Sequence, residues 1–294
     1  MCITTIIHNN FLPQRIKKKM VFEAEDLIKQ AIERYGDNIA VACSFGKDSM
    51  VVLHLALKYK PDIKVMFHNT GVEFSETIKY KEMIVKKWNL NLIETKPYKD
   101  MDFWKCVDKY GIPEFRSGKS KYHSPRCCYY LKEKPAMEII KKEGIKAIFT
   151  GIMKEESRQR AIKLTMYDNM NKTFEDISFC GQRYFAVGWN VWKYHPLANW
   201  KEKEIWSYIK EHKIPINQVY LKWNKLYKRC GCLPCTAYLD WERKLSKSHK
   251  KLYLKLKKIQ HPTQKGMGDF CTKPKEVLNQ ITTIHNDSEK NHNV

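Results

Sequence analysis

The chain has 294 residues, 43% of them hydrophobic and 12% aromatic, which is enough to bury a core and too many for a disordered polymer. A mean hydropathy of -0.58 and the lack of an apolar run of membrane-spanning length exclude a helical membrane protein. The formal charge of +22 comes mostly from lysine, and fits either a lysine-biased composition or an anionic partner such as tRNA, DNA or a nucleotide.

Residues 1–21 form a basic arm ending in Arg15, Lys17, Lys18 and Lys19, or a misassigned start upstream of Met20. They carry no basic segment followed by an apolar core and a small-residue cleavage site, so the 10 cysteines read as reduced thiols of a cytoplasmic protein. A helix is predicted over Phe22–Tyr35 from apolar residues at helical spacing, with Gly36 as its stop. Ile39–Cys43 is apolar on both faces, as a buried parallel strand requires, and leads through Ser44–Ser49 into a helix over Met50–Tyr59. Strand and helix then alternate: Ile63–Phe67, Thr77–Trp88, Leu90–Glu94, Met101–Tyr110, a loop to Arg126, a helix from Cys127 to Lys142, and a strand at Ile145–Thr150. This order implies an α/β fold, a parallel twisted sheet with flanking helices. Residues 163–192 read as an irregular insertion or lid, and Trp200–His212 as a helix broken by Pro215. The main domain is taken as 22–241. The extension 242–294 begins with eight basic residues and no acid between Arg243 and Lys258, a solvated face or a nucleic-acid contact, and its end is expected to be disordered.

A loop between a buried strand and a helix aims backbone N–H groups at one point and suits a phosphate. Ser44-Phe45-Gly46-Lys47-Asp48-Ser49 occupies that place; it lacks the glycine spacing of the Walker loop and of the dinucleotide fingerprint. It closely resembles the pyrophosphate-binding PP-loop of the adenine nucleotide α-hydrolase-like superfamily, which binds the phosphates of ATP or of adenylyl sulfate. Cys127-Cys128-Tyr-Tyr-Leu-Lys132-Glu-Lys-Pro135 and Gly231-Cys232-Leu-Pro-Cys235-Thr236 resemble two motifs of the phosphoadenosine phosphosulfate (PAPS) reductase family. Gly151 to Arg160 and His195-Pro196-Leu-Ala-Asn-Trp200 resemble two further blocks of that family in the same order, so the likeness spans about Phe22 to Trp241.

The resemblance implies a nucleotide held by Ser44, Phe45, Gly46, Lys47, Asp48 and Ser49, with Thr70 and Gly71 beside it. It implies Lys47 and Asp48 as catalytic residues, and a [4Fe-4S] cluster on Cys127, Cys128, Cys232 and Cys235. Four thiolates suit a tetrahedral zinc as well as a cluster, and Cys230 is a competing ligand. Lys132, four residues after Cys128, returns to the cysteine side of a helix. Arg158 and Arg160 follow a strand, where an arginine pair grips phosphate or sulfate unless it is spent on Glu155 or Glu156.

Two departures matter. The reductases of this family attack the substrate sulfur with a cysteine in a C-terminal Glu-Cys-Gly-Leu-His motif, which this sequence lacks; Cys271, near Lys273 and Lys275, is the candidate replacement. Met153 stands where the family block often has Arg. The resemblance therefore leaves ATP, APS and PAPS as nucleotides. It implies reduction with a thioredoxin-like or other electron donor, or AMP-forming thiolation of tRNA or DNA with Mg2+; a zinc-stabilised nucleic-acid-binding protein is the non-enzymatic alternative.

Overall fold

The computed structural model describes residues 14–113, 125–172, 182–223, 226–237 and 240–260. The chain divides into two compact units, Met1–Lys244 and Leu245–Val294. Cys271, the tail, residues 114–124 of the expected loop and residues 173–181 of the expected insertion lie outside the described residues.

The first unit is built on a six-stranded sheet. Its strands are β1 (Ile39–Ala42), β2 (Lys64–His68), β3 (Asn91–Thr95), β4 (Ala147–Thr150), β5 (Arg183–Ala186) and β6 (Val191–Tyr194) in the order β3-β2-β1-β4-β6-β5. Every pairing is parallel except β5 with β6. Central β1 is hydrogen-bonded on both edges and buried on both faces, which is why Ile39, Ala40 and Val41 carry no polar alternation.

Helices α1 (Gln14–Tyr35), α2 (Lys47–Leu57), α3 (Ser75–Trp88) and α4 (Phe103–Tyr110) precede the short α5 (Arg126–Cys128). A π turn over Tyr129–Glu133 then leads into α6 (Lys134–Lys142). Next come α7 (Arg158–Lys172), α8 (Glu202–Glu211), α9 (Gln218–Lys222), α10 (Trp241–Ser248) and, in the second unit, α11 (Lys250–Gln260). α2 is apolar nearly all round because it lies between β1 and both α1 and α8. Among the described residues no helix is long and apolar enough to cross a membrane.

Three expectations are corrected. The basic segment before Phe22 is no arm from Gln14 onward: α1 starts there, since Met20 and Val21 pack on the core. The expected insertion holds most of α7, all of β5 and the start of β6, and four-residue strands are too short to show a period. The boundary at 242 falls inside α10, and the units divide after Lys244.

The chain runs outward from β1 to β2 to β3, then returns across β1 to β4. Neighbouring β1 and β4 therefore send their following segments in opposite directions, and the gap between their C-terminal ends is the switch point where open α/β sheets bind ligands.

Candidate active site

A cavity of 310 Å³ opens at that switch point. Ser44, Gly46, Asp48 and Ser49 line it from the end of β1, Thr150 and Gly151 from the end of β4, Arg160 from α7 and Arg229 from the turn before Cys230. Cys127, Cys128, Lys132, Cys232 and Cys235 complete the wall, with Cys230 beside the loop.

The loop is held in shape by residues distant in sequence. Phe45 has a positive φ of 54°, costly for a bulky residue by about 1–3 kcal/mol. Its ring is fully buried edge-on to Phe67, with centroids 5.4 Å apart, and Asn217 Nδ2 donates to its carbonyl at 3.1 Å. Phe45 thus anchors the loop from the core, and its ring does not line the cavity. Ser49 Oγ donates to the Gly46 carbonyl at 3.0 Å and lies 3.2 Å from Ser44 Oγ, and the Lys47 amide donates to the Tyr220 hydroxyl at 3.1 Å. A Cβ on Gly151 would lie 2.8 Å from both Asp48 C and Ser49 N, so the end of β4 rests directly on the head of α2.

The charged residues are arranged differently from expectation. Lys47 is absent from the cavity lining; its ammonium is buried 2.9 Å from Asp48 Oδ1 and 3.9 Å from Glu202 Oε1. Burial pushes the Asp48 carboxyl above its usual range, against the pull of Lys47 and with the help of Glu156 and Glu202. Arg160 does face the cavity, yet it is ion-paired with Glu156, which also lies 3.5 Å from Arg229 Nη1 and accepts the Met153 amide at 3.2 Å. Arg158 is exposed on the first turn of α7 and does not line the cavity, because Arg158 and Arg160, two apart on a helix, point to different sides. Met153 is buried in the core, and Arg229, which sequence reading missed, supplies a second cation from a remote turn.

Thr70 and Gly71 do not reach the cavity either. Thr70 is buried, its hydroxyl donates to Glu73 Oε1 at 2.5 Å and lies 3.4 Å from Cys232 Sγ, and Gly71 is exposed in a turn closed by Asn69 Oδ1. Their loop instead braces the second cysteine pair: Glu73 and Cys232 form a bridge, and the Leu233 amide donates to the Val72 carbonyl at 2.8 Å. Thr236 donates to the Pro113 carbonyl on the other side.

Cys127 and Cys128 enter from α5 at the start of the π turn, a widening that recurs at functional sites. The Cys127 thiol is pushed far up, first by its hydrogen bond with Cys128, then by burial and by the charges of Cys128, Cys232 and Cys235, so the four sulfurs share one neighbourhood. Burial pushes Cys235 up to about 11. Burial also works to lower the Lys132 ammonium, but the sulfurs of Cys232 and Cys128 and the Glu73 carboxylate outweigh it and hold it above its usual range. Cys230 is turned toward the loop, hydrogen-bonded to Tyr220 and Thr77. Among the described residues no three His, Cys, Asp or Glu side chains are gathered closely enough for one metal ion. Four thiol groups around one cavity, with the Lys132 ammonium beside them, are a donor set that a [4Fe-4S] cluster could use.

Residues 38–238 match the family model described as phosphoadenosine phosphosulfate reductase domain. The chain belongs to that family. It is 30% identical over 214 residues to the adenosine 5'-phosphosulfate reductase of Staphylococcus haemolyticus, covering 73% of this chain and 76% of the relative. It is 31% identical over 212 residues to the corresponding reductase of Bacillus cytotoxicus, covering 71% and 78%. The crystal structure of PAPS reductase from Candida auris in its phosphate complex superposes with a TM-score of 0.51 at 18% identity, over 76% of this chain and 97% of that one, a likeness of fold.

Proposed function

We propose that this protein is a sulfonucleotide reductase, an oxidoreductase that releases sulfite and an adenosine monophosphate from APS or PAPS. The observation that carries this reading is that the PP-loop and the four cysteines line one cavity. The nucleotide phosphates sit on Ser44, Gly46 and Ser49 at the head of α2, where the helix dipole favours an anion. Arg160 and Arg229 reach the same anion after exchanging Glu156 for it. Cys127, Cys128, Cys232 and Cys235 would hold a [4Fe-4S] cluster, which would supply an anionic iron–sulfur centre beside the loop, with Lys132 offsetting its charge.

In the reaction a thiolate attacks the substrate sulfur, the S–O bond breaks, and the adenosine monophosphate leaves with the electron pair. A dithiol donor of the thioredoxin class then attacks the protein thiosulfonate, releases sulfite and is oxidised to its disulfide. Cys271 is the candidate for the attacking thiol.

The test uses anaerobically purified protein with sulfur-labelled APS and PAPS, followed by denaturing separation. Label is expected to stay on the polypeptide without reductant and to leave as sulfite with thioredoxin. If neither nucleotide labels the protein and none yields sulfite, the reading falls, and ATP with a tRNA or DNA acceptor becomes the substrate pair to examine.

A further inference from the structure

Thr150 ends β4 at the switch point and lines the cavity, immediately before the glycine that touches the head of α2. Its hydroxyl lies 2.6 Å from Nδ1 of His195, 45 residues later in the chain. His195 is 1% exposed, its amide donates to the Gln182 carbonyl at 2.8 Å, and its ring lies 5.5 Å from that of Tyr184 at an interplanar angle of 23°. The imidazole is therefore fixed in place, and it belongs to none of the groups used so far.

Its protonation follows from its surroundings. Burial, and then Lys193, Lys163 and Arg160, hold the ring neutral and push it down to about 3. Nε2 is buried and has no hydrogen-bond partner among the described residues. An N–H at Nε2 would be an orphaned buried donor in a field of cations, whereas a lone pair there is favoured by the same cations. This assigns the proton to Nδ1, so His195 donates to Thr150 Oγ1. The Thr150 proton is then released from the histidine and can turn toward the cavity.

We propose that the Thr150 hydroxyl donates to the phosphate or sulfate oxygens of the nucleotide seated at the PP-loop, and that His195 is the positioning residue that turns it there. This rests on the reading of the cavity as a sulfonucleotide site. A hydrogen bond to a charged acceptor makes the expected loss on its removal about tenfold or more in affinity.

The experiment is calorimetric titration of the anaerobic, cluster-loaded protein with AMP and with APS, paired with thermal melting and the visible absorption of each variant. Thr150→Val is expected to weaken both nucleotides about tenfold while Thr150→Ser binds as the native protein does. His195→Leu should lose as much as Thr150→Val, and the double variant no more than either single one, because both remove the same bond. His195→Asn, whose amide keeps a donor at the Nδ1 position, should restore most of the affinity. Unchanged affinity in Thr150→Val, or additive losses in the double variant, would overturn the proposal and leave the sulfonucleotide reading intact. Failure of the native protein to bind either nucleotide overturns both.

Discussion

Gly151 and Ser49 are in backbone contact: a Cβ at residue 151 would sit 2.8 Å from the Ser49 nitrogen. The residue that follows β4 and the first turn of α2 are thus one unit, and neither can shift without moving the other.

Gly151→Ala should expose this coupling. The methyl group meets backbone and not a yielding side chain, so the cost is about 1–3 kcal/mol of stability, together with a displaced loop. A lowered melting temperature with a nucleotide affinity reduced at least tenfold is expected. Unaltered binding would show that the loop tolerates the shift.

Glu156→Gln tests the double ion pair. The amide oxygen still accepts the Met153 amide, but the negative charge beside Arg160 and Arg229 is gone. Anions entering the cavity no longer compete with a carboxylate, so inorganic sulfate should inhibit nucleotide binding several-fold more strongly, at about 1 kcal/mol. Weaker sulfate inhibition would mean that the carboxylate serves to place the arginines.

The PP-loop was legible because everything that defines it is local: a buried strand, a glycine and a helix start. The cysteine pairs were legible as motifs. What supports them was not. Tyr220 and Asn217 hold the loop from 173 and 172 residues away, and Arg229 enters from a turn with no period or spacing to mark it. Thr70 was expected beside the nucleotide because a Thr-Gly pair after a strand looks the same whether it faces a ligand or, as here, packs beside Cys232 of a cysteine turn. Lys47 was expected as a loop cation, but its partner Asp48 is adjacent in sequence and only the buried geometry shows that the two are paired.

Cys232→Ser and Cys230→Ser separate the proposed cluster ligands from their neighbour. Cys232 shares the neighbourhood of Cys127, Cys235 and Lys132, whereas Cys230 is bonded to Tyr220 and Thr77. Iron content and visible absorption should collapse in Cys232→Ser and persist in Cys230→Ser. The reverse pattern would reassign the ligand.

Stability should fall in acid through histidines held neutral by the fold, His195 buried and His54 and His68 half-buried. Burial first, and then neighbouring cations or His212, push His195 down to about 3 and His54 and His68 to about 4, all from an ordinary 6.5. In the unfolded chain they bind protons below 6.5 while the folded protein does not, so their stabilising effect is complete above that pH and is lost as pH drops toward the folded values. The limiting slope is about 1.4 kcal/mol per pH unit for a fully buried group. His195→Asn should melt with a shallower pH dependence between 6.5 and 4 than the native chain, and an identical slope would show that His195 does not titrate on unfolding.

The two cysteine pairs, at 127 and 128 and at 232 and 235, bracket the middle of the chain, including β4, β5 and β6. A cluster joining them is a cross-link that closes a loop of about a hundred residues. By chain-entropy reasoning, such a tie removes about 4–5 kcal/mol of freedom from the denatured ensemble. Loss of the cluster would therefore lower the melting temperature of the whole first unit, so that an intact fold and an intact redox centre would be lost together.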